Sequence, residues 1–133
     1  MIFGNSIYVY AGAGGTLATS TDGITWTSRT SGTTSSILSM TYGTVFVYAG
    51  VGGVLATSTD AITWTKRSSN TTSVIYSVFY QGGLYYSAAG TGADNGSVLT
   101  STDAITWSQV KQFNSGQALS AITYGTTFAA VGS

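Results

Sequence analysis

The chain has 133 residues, of which 43% are hydrophobic and 6% are charged, and its formal net charge is zero. It contains neither cysteine nor histidine, which excludes disulfides, thiolate chemistry and the Ser-His-Asp and Cys-His arrangements of nucleophilic catalysis. It has no basic excess and no apolar run near the roughly 20 residues of a transmembrane helix, so we expect neither a nucleic-acid nor a membrane partner.

A heptapeptide of the form Ser-Thr-Asp-x-Ile-Thr-Trp occurs three times, at residues 20–26, 58–64 and 101–107. Its Asp22, Asp60 and Asp103 mark a period of about 40 residues, the length of a four-stranded propeller blade. The sequence therefore predicts one domain over residues 1–133. Its repeat units cover about 1–35, 36–72 and 73–117, followed by a partial unit at 118–133.

Each unit has the pattern of four short strands joined by tight links. The first unit, which starts at Met1, is expected to begin within or just after its first strand and to continue with the other three. The second unit predicts strands at Ile37–Tyr42, Val45–Ala49, Val54–Thr57 and Ile62–Arg67. The third unit repeats this order with an insertion at 93–95, and residues 120–124 and 127–132 resemble the first two strands of a further unit. Because the links are short, neighbouring strands are expected to be antiparallel.

Two kinds of turn are predicted within each unit. The glycine-rich segments 12–15 and 50–53 predict a tight turn between the second and third strands, because such a turn needs residues that tolerate positive φ. Asn95-Gly96 predicts the same turn in the third unit. The Asp of each heptapeptide is expected to accept hydrogen bonds from backbone N–H groups that follow it. The next Thr and Trp are expected to begin the fourth strand, with the Trp packed on the hairpin.

The heptapeptide resembles the Asp-box, or BNR, motif of sialidase-type β-propellers, although it is one residue shorter than the usual Ser-x-Asp-x-Gly-x-Thr-Trp. The shortened form, with Tyr-Val/Ala-Gly strands between its copies, is similar to repeats in virion proteins of tailed bacteriophages. The resemblance implies an all-β propeller of four-stranded antiparallel blades and a role as a tail, baseplate or capsid-surface element. It also implies a structural motif made of Ser20, Asp22, Thr25, Trp26, Ser58, Asp60, Thr63, Trp64, Ser101, Asp103, Thr106 and Trp107.

The activity of sialidases is not expected to accompany the motif. The chain has no Glu and only two Arg, whereas sialidase chemistry needs an arginine cluster and a Tyr–Glu pair. Three of its four Asp residues belong to the predicted turns, and Asp94 is better explained as part of a turn with Asn95 and Gly96. No calcium-loop spacing and no phosphate loop is present. We therefore expect a non-enzymatic protein with no catalytic residue, cofactor or metal.

The alternative function is a small repeat lectin that binds glycans between blades. Tyrosine is a common platform for sugar rings and protein interfaces, although packing between blades would also use it. The candidate contacts with a glycan or partner are Tyr8, Tyr10, Tyr48, Tyr85 and Tyr86. The cations fall in or just after the predicted fourth strands, where they would either protect an edge strand or form a ligand-binding ring: Arg29, Lys66, Arg67 and Lys111.

About three blades per chain are too few for a closed ring, since propellers have ~4–8. We expect the terminal half-blades to pair between chains, most simply in a two-fold dimer with six blades. The alternatives are an open arc capped by another virion protein, or a piece of a longer chain. No signal peptide is recognised before the first strand, which predicts synthesis in the cytoplasm and a final location in a virion or at an extracellular surface.

Overall fold

The computed structural model describes residues 1–90, 96–113, 119–124 and 128–132. In these residues the backbone forms three four-stranded antiparallel sheets and one two-stranded sheet, with no α-helix. The predicted all-β class and four-stranded unit are therefore confirmed, whereas the described strands do not close into a ring. None of these residues belongs to a helix long and apolar enough to cross a bilayer.

Each four-stranded sheet is built from four consecutive strands. The first sheet contains β1 (Ile2–Gly4), β2 (Ile7–Ala11), β3 (Leu17–Ser20) and β4 (Thr27–Ser28). The second contains β5 (Ile37–Tyr42), β6 (Phe46–Gly50), β7 (Leu55–Ser58) and β8 (Thr65–Lys66). The third contains β9 (Ile75–Gln81), β10 (Leu84–Ala89), β11 (Ser97–Ser101) and β12 (Ser108–Gln112). The fourth sheet consists of β13 (Leu119–Tyr124) and β14 (Phe128–Gly132).

The three complete sheets are meanders with one common register. Between the second and third strands, the last Ser of β3, β7 and β11 pairs with Tyr8, Phe46 and Tyr85 respectively. A common register identifies which residues correspond between repeats. Because side chains alternate across a strand, it also identifies which residues share a face.

The glycine turns predicted between the second and third strands are present in the first two sheets. Residues 13–15 and 51–53 each form a short 3₁₀ turn, and Gly14 and Gly52 have φ values of 62° and 74°. A Cβ at either position would be strained by the backbone conformation alone, even though the space around both glycines is open. Glycine is therefore required here by φ and not by crowding.

The fourth strand is the one element of the second unit that the sequence misplaces. The first three strands agree with the prediction to within one residue, whereas the fourth was expected over 62–67 and consists of Thr65–Lys66 alone. The N–H groups of Ile62 and Thr63 donate to Oδ1 of Asp60, so these residues belong to the turn. The prediction that Thr and Trp begin the fourth strand is wrong for this reason.

The first unit is a complete sheet and not the half-blade expected from the sequence. β1 supplies its first strand with only three residues, where β5 has six. Since β1 and β2 already occupy the two positions that the terminal strands were expected to fill, β13 and β14 cannot complete this sheet. The described strands therefore do not include the first half-blade that this six-blade dimer would use, and the dimer itself stays a prediction.

Successive sheets pack face to face, and their first strands are in contact from β1 to β5, from β5 to β9 and from β9 to β13. We call the surface that a sheet turns toward the preceding sheet its back face, and the opposite surface its front face. In the second sheet the back face carries Phe46, Tyr48 and Trp64, and the front face carries Val47 and Leu55. Every internal sheet thus has two apolar faces to cover.

Aromatic back faces pack against aliphatic front faces. Phe46 and Tyr48 form one buried cluster with Val9 and Leu17 of the first sheet. The ring of Tyr42 lies directly on Gly4, where any side chain would collide with it. The next interface repeats this arrangement: the ring of Tyr80 lies on Gly43, and Val47 and Leu55 pack with Tyr85, Leu99 and Trp107.

A tyrosine hydroxyl adds a polar connection between the second and third sheets. The Tyr85 hydroxyl accepts hydrogen bonds from the N–H groups of Thr44 and Val45, at 2.9 and 3.0 Å. It donates to the Val45 carbonyl oxygen at 3.2 Å. The corresponding position of the second sheet is Phe46, so the connection is specific to this interface. One hydroxyl therefore satisfies three backbone groups of the β5–β6 turn.

Tyr85→Phe should lower the free energy of unfolding by about 1–3 kcal/mol, because it leaves backbone groups of this turn without their partner while the ring packing is kept. Urea denaturation measures the change. Tyr76→Phe is the matched control, since Tyr76 is exposed on β9. Equal stability of the two variants would contradict the role of the hydroxyl.

Candidate functional site: the Asp turns and the grooves between sheets

Each heptapeptide forms a turn closed by one carboxylate oxygen. In the first sheet, Oδ1 of Asp22 accepts from the N–H groups of Ile24 and Thr25, both at 2.8 Å, and from the Ser20 hydroxyl at 2.9 Å. The Ser20 Oγ in turn accepts from the N–H groups of Asp22 and Gly23, at 3.3 and 2.8 Å. Ser and Asp therefore satisfy four backbone donors that the bend leaves outside the ladder.

The other two turns repeat this geometry. Asp60 Oδ1 accepts from Ser58 Oγ at 2.9 Å and from two backbone N–H groups at 2.8 Å. Asp103 Oδ1 accepts from Ser101 Oγ at 3.0 Å and from two backbone N–H groups at 2.8 and 2.9 Å. The hydrogen-bonded Asx turn predicted from the sequence is confirmed in all three copies. The contribution of Thr63 and Thr106 is their backbone N–H.

The residue after each Asp adopts a left-handed conformation, which the sequence pattern did not indicate. Gly23 has φ of 73°, and Ala61 and Ala104 both have φ of 62°. Alanine is unfavourable in this region, yet the two alanines are completely buried against the preceding sheet. Gly23 lies on the exposed back face of the first sheet, where a methyl group would gain no such packing. Burial of the alanine Cβ thus offsets the backbone strain.

The geometry gives the three carboxylates little capacity for acid–base chemistry. Backbone hydrogen bonds from Ile24 and Thr25, with the Ser20 hydroxyl, lower the pKa of Asp22 to about 2. The pKa values of Asp60 and Asp103 are lowered by the same kind of backbone hydrogen bond. A general base needs a pKa near the working pH, so carboxylates of this kind are weak bases. No cluster of three or more metal-ligating side chains occurs among the described residues.

The three tryptophans of the motif differ in burial. Trp64 packs on Tyr48 at a tilt of 37° with ring centroids 4.9 Å apart, and its Nε1 donates to the Ala61 carbonyl at 3.1 Å. Trp107 is 2% exposed and makes the same hydrogen bond to Ala104, at 3.0 Å. The predicted packing on the hairpin is therefore confirmed for these two. Trp26 is exposed, because none of the described strands covers the back face of the first sheet.

The structure divides the five candidate tyrosines into three groups. Tyr48 and Tyr85 are completely buried, so their assignment as contacts for a glycan is wrong. The Tyr48 hydroxyl donates to the Ser31 carbonyl at 2.7 Å, and burial raises its pKa to about 12. Tyr86 is half-buried beside Phe79 on the front face of the third sheet. Tyr8 and Tyr10 lie on the back face of the first sheet.

Asp94 and Asn95, which the sequence analysis assigns to a turn, lie outside the described residues.

One groove, between the first and second sheets, brings together residues that the sequence did not connect, and a corresponding groove lies beside the second sheet. The first, of about 670 Å³, is lined by Arg29, Lys66 and the link between β4 and β5, residues 30–35. The second, of about 630 Å³, is lined by Arg67 and the corresponding link, residues 68–72. In each groove the Arg Nε donates to a threonine hydroxyl at 2.9 Å, from Arg29 to Thr19 and from Arg67 to Thr57. The signal was present in the ten-residue spacing of Thr and Arg in the first two repeats.

The chain matches no family model, no curated protein and no solved structure. The resemblance of its heptapeptide to the Asp-box therefore stays a prediction that rests on the motif residues and on the turn geometry that they adopt.

Asp60→Ala should destabilise the fold by about 0.5–2 kcal/mol, the range for a lost side-chain cap, because the N–H groups of Ile62 and Thr63 lose their acceptor. Thermal and urea denaturation measure the loss. Thr59→Ala, at the exposed neighbouring position, is the control and should leave stability unchanged. Asp60→Asn should lie between the two, since an amide oxygen can still accept.

The three turns should make stability depend on pH in the acid range. The folded-state pKa of Asp22, about 2, lies below the value of 3.8 for an unperturbed Asp. Its contribution is therefore complete well above pH 4 and is lost as the pH falls toward 2. Melting temperatures measured from pH 6 to pH 2 should decrease in this window, and Asp22→Asn should make the decrease shallower. A melting temperature independent of pH over this range would contradict the carboxylate turns.

Proposed function

We propose that the protein is a non-enzymatic structural component, a propeller-like body that assembles with further copies of itself, and that it belongs to the virion of a tailed bacteriophage. The observation that carries the assembly proposal is the uncovered back face of the first sheet. The virion assignment is supported by the resemblance of the repeats and not by the comparisons.

The back face of the first sheet has the residues of an interface but no covering sheet. Its Phe3, Tyr8, Tyr10 and Trp26 correspond by register to Tyr42, Phe46, Tyr48 and Trp64, which pack on the first sheet. Phe3 is 58% exposed and Tyr10 is 47% exposed, whereas Tyr48 is completely buried. The rings of Phe3 and Tyr8 already contact each other at a tilt of 46°, with centroids 4.6 Å apart, as the rings of Tyr42 and Phe46 do at 45° and 4.5 Å. The surface is therefore preorganised for another front face.

The occupant that fits is the front face of a second copy of this chain. The interface between the first and second sheets and the one between the second and third sheets each join an aromatic back face to a front face of small and aliphatic residues. At the other end of the chain, Ala129 of β14 is exposed, and its register with Thr123 places it where Val47 lies in the second sheet. A head-to-tail contact would continue the existing series of interfaces, and two such contacts would close a two-fold ring. Because the formal net charge of the chain is zero, two copies carry no net charge that would repel each other.

The lowered carboxylate pKa values support a non-enzymatic role, because the motif residues act on their own turns. The lectin alternative loses two of its five tyrosines to the core, and Tyr8 and Tyr10 belong to the proposed docking face. Binding of glycans through these tyrosines is therefore not the function that the geometry favours.

The native mass of the protein tests the assembly proposal. Wild-type protein is expected at twice the 13.6 kDa of the single chain, by native mass spectrometry and by light scattering. Phe3→Arg should produce monomer with an unchanged melting temperature, because Phe3 is exposed within one chain and the added charge would be desolvated only in the contact.

Val51→Arg is the matched control, since Val51 is an exposed apolar residue in the glycine turn of the second sheet, away from the docking face. It should remain dimeric. A wild-type monomer at micromolar concentration would overturn the proposal, as would equal behaviour of the two variants.

The virion assignment has its own test: phage particles purified from cells that carry the gene should contain the chain when digested and sequenced by mass spectrometry.

A further inference from the structure

We propose that the groove between the first and second sheets is a binding site for an acidic polysaccharide, whose sulfate or carboxylate group is held between Arg29 and Lys66. The inference is independent of the docking proposed above, because these residues lie between two sheets of one chain and not on the free back face. It also locates glycan binding at a different place from the tyrosines.

The first wall of the groove presents a guanidinium in a defined orientation. Arg29 follows β4, and its Nε donates to Thr19 Oγ1 at 2.9 Å. This hydrogen bond uses one of the five N–H bonds of the side chain and leaves the four of the two Nη groups for a ligand. No hydrogen bond or ion pair of these groups occurs among the described residues. A guanidinium of this kind can bind two oxygens of a sulfate or carboxylate at once.

The second wall contributes the ammonium group of Lys66. Lys66 is an exposed residue of β8 that pairs with Ala56, on the back face of the second sheet. Its side chain reaches across to the link of the first sheet, where a Cβ on Gly32 would lie 4.0 Å from its Cε. Two of the four cations of the chain therefore line one groove.

The groove contains nothing to neutralise these cations. Its lining includes no carboxylate, and its other side chains are hydroxyl groups, from Thr30, Ser31, Thr33, Thr34 and Ser35. Two like charges that line the same surface groove repel each other mildly unless a counterion lies between them. The arrangement therefore favours an anionic ligand.

The groove between the second and third sheets offers an internal comparison. Arg67 corresponds to Arg29, but register places Gln109 where the second sheet has Lys66. The position of Gly32 is taken by Asn70, whose Nδ2 donates to the Trp107 carbonyl at 2.9 Å and bridges the two sheets. The second groove thus has one cation in place of two, and a side chain lies where the first groove is open.

The shape and lining select a sugar polymer over a small anion. The groove is a shallow surface feature with four exposed or half-exposed hydroxyl side chains, from Thr30, Thr33, Thr34 and Ser35, which can exchange hydrogen bonds with sugar hydroxyls. The Ser31 hydroxyl is buried and donates to the Gly15 carbonyl at 2.6 Å. A free inorganic anion would contact only the two cations, which are exposed or half-exposed, and such contacts are worth little in water. A chain of sugar rings would form hydrogen bonds along the groove in addition to each charged contact.

Titration with three probes tests the site: an oligosaccharide of dextran sulfate, the same oligosaccharide without sulfate, and inorganic sulfate. Isothermal titration calorimetry at low salt should detect the first probe only. Amide shifts in the NMR spectrum should locate its binding at residues 30–35. Lys66→Gln, which reproduces the residue found at Gln109, should weaken binding about fivefold, the largest effect usual for an exposed ionic contact.

Lys111→Gln is the matched control, because it removes the same charge from the corresponding outer strand of the third sheet, outside the groove. It should bind as wild type does. Arg29→Gln should weaken binding while Arg67→Gln, which loses the same kind of threonine hydrogen bond, should not. Gln109→Lys should raise the affinity or stoichiometry by placing a second cation in the other groove.

Equal weakening by Lys66→Gln and Lys111→Gln would show that only net charge matters and would overturn the proposal. Equal affinity for inorganic sulfate and the sulfated oligosaccharide would also overturn it, because the sugar would then contribute nothing. Binding that weakens in Lys66→Gln and is unchanged in Lys111→Gln supports the site whether or not the protein assembles, so its outcome is separate from that of the mass measurement.

Discussion

A small four-stranded sheet with apolar residues on both faces is not stable in water unless another layer covers each face. In this chain no helix performs that task among the described residues, so each sheet is covered by its neighbours. The aromatic back face and the aliphatic front face are complementary, and the same pairing recurs at successive interfaces. Tyr42 on Gly4 and Tyr80 on Gly43 show how closely the contacts repeat. The remaining features of the fold depend on this layer-by-layer burial.

The Asp turns make the layers possible by ending the third strand sharply and holding the hairpin with a single carboxylate oxygen. The same hydrogen bonds occur in all three turns, and each fourth strand begins only after the Trp, at Thr27, Thr65 and Ser108. The fourth strand has two residues in the first two sheets and five in the third, so the turn sets where it begins and not how long it is. Arg29 and Lys66, which line the first groove, lie in or directly after the two short strands.

The repeats allowed most of the architecture to be predicted. Period, antiparallel meander, glycine turns and Asx turns follow from residue types whose conformational preferences are strong and local. The length of the fourth strand could not be predicted, because Ile62 and Thr63 have high strand propensity and are removed from the ladder by a competing acceptor. The burial of Tyr48 and Tyr85 was also missed. The alternation of side chains along a strand shows on which face of the sheet a residue lies, but it does not show what covers that face. The pairing of Lys66 with Arg29 depends on two different sheets, and only the stacking reveals it.

The order of the strands has a consequence for synthesis. Every ladder joins strands that are neighbours in the sequence, so a sheet can form as soon as its own residues have left the ribosome. Each new sheet then meets a front face that is already in place, and its aromatic residues are exposed only until that contact forms. Folding in the direction of translation therefore limits the time during which partly folded chains with exposed aromatic residues could aggregate.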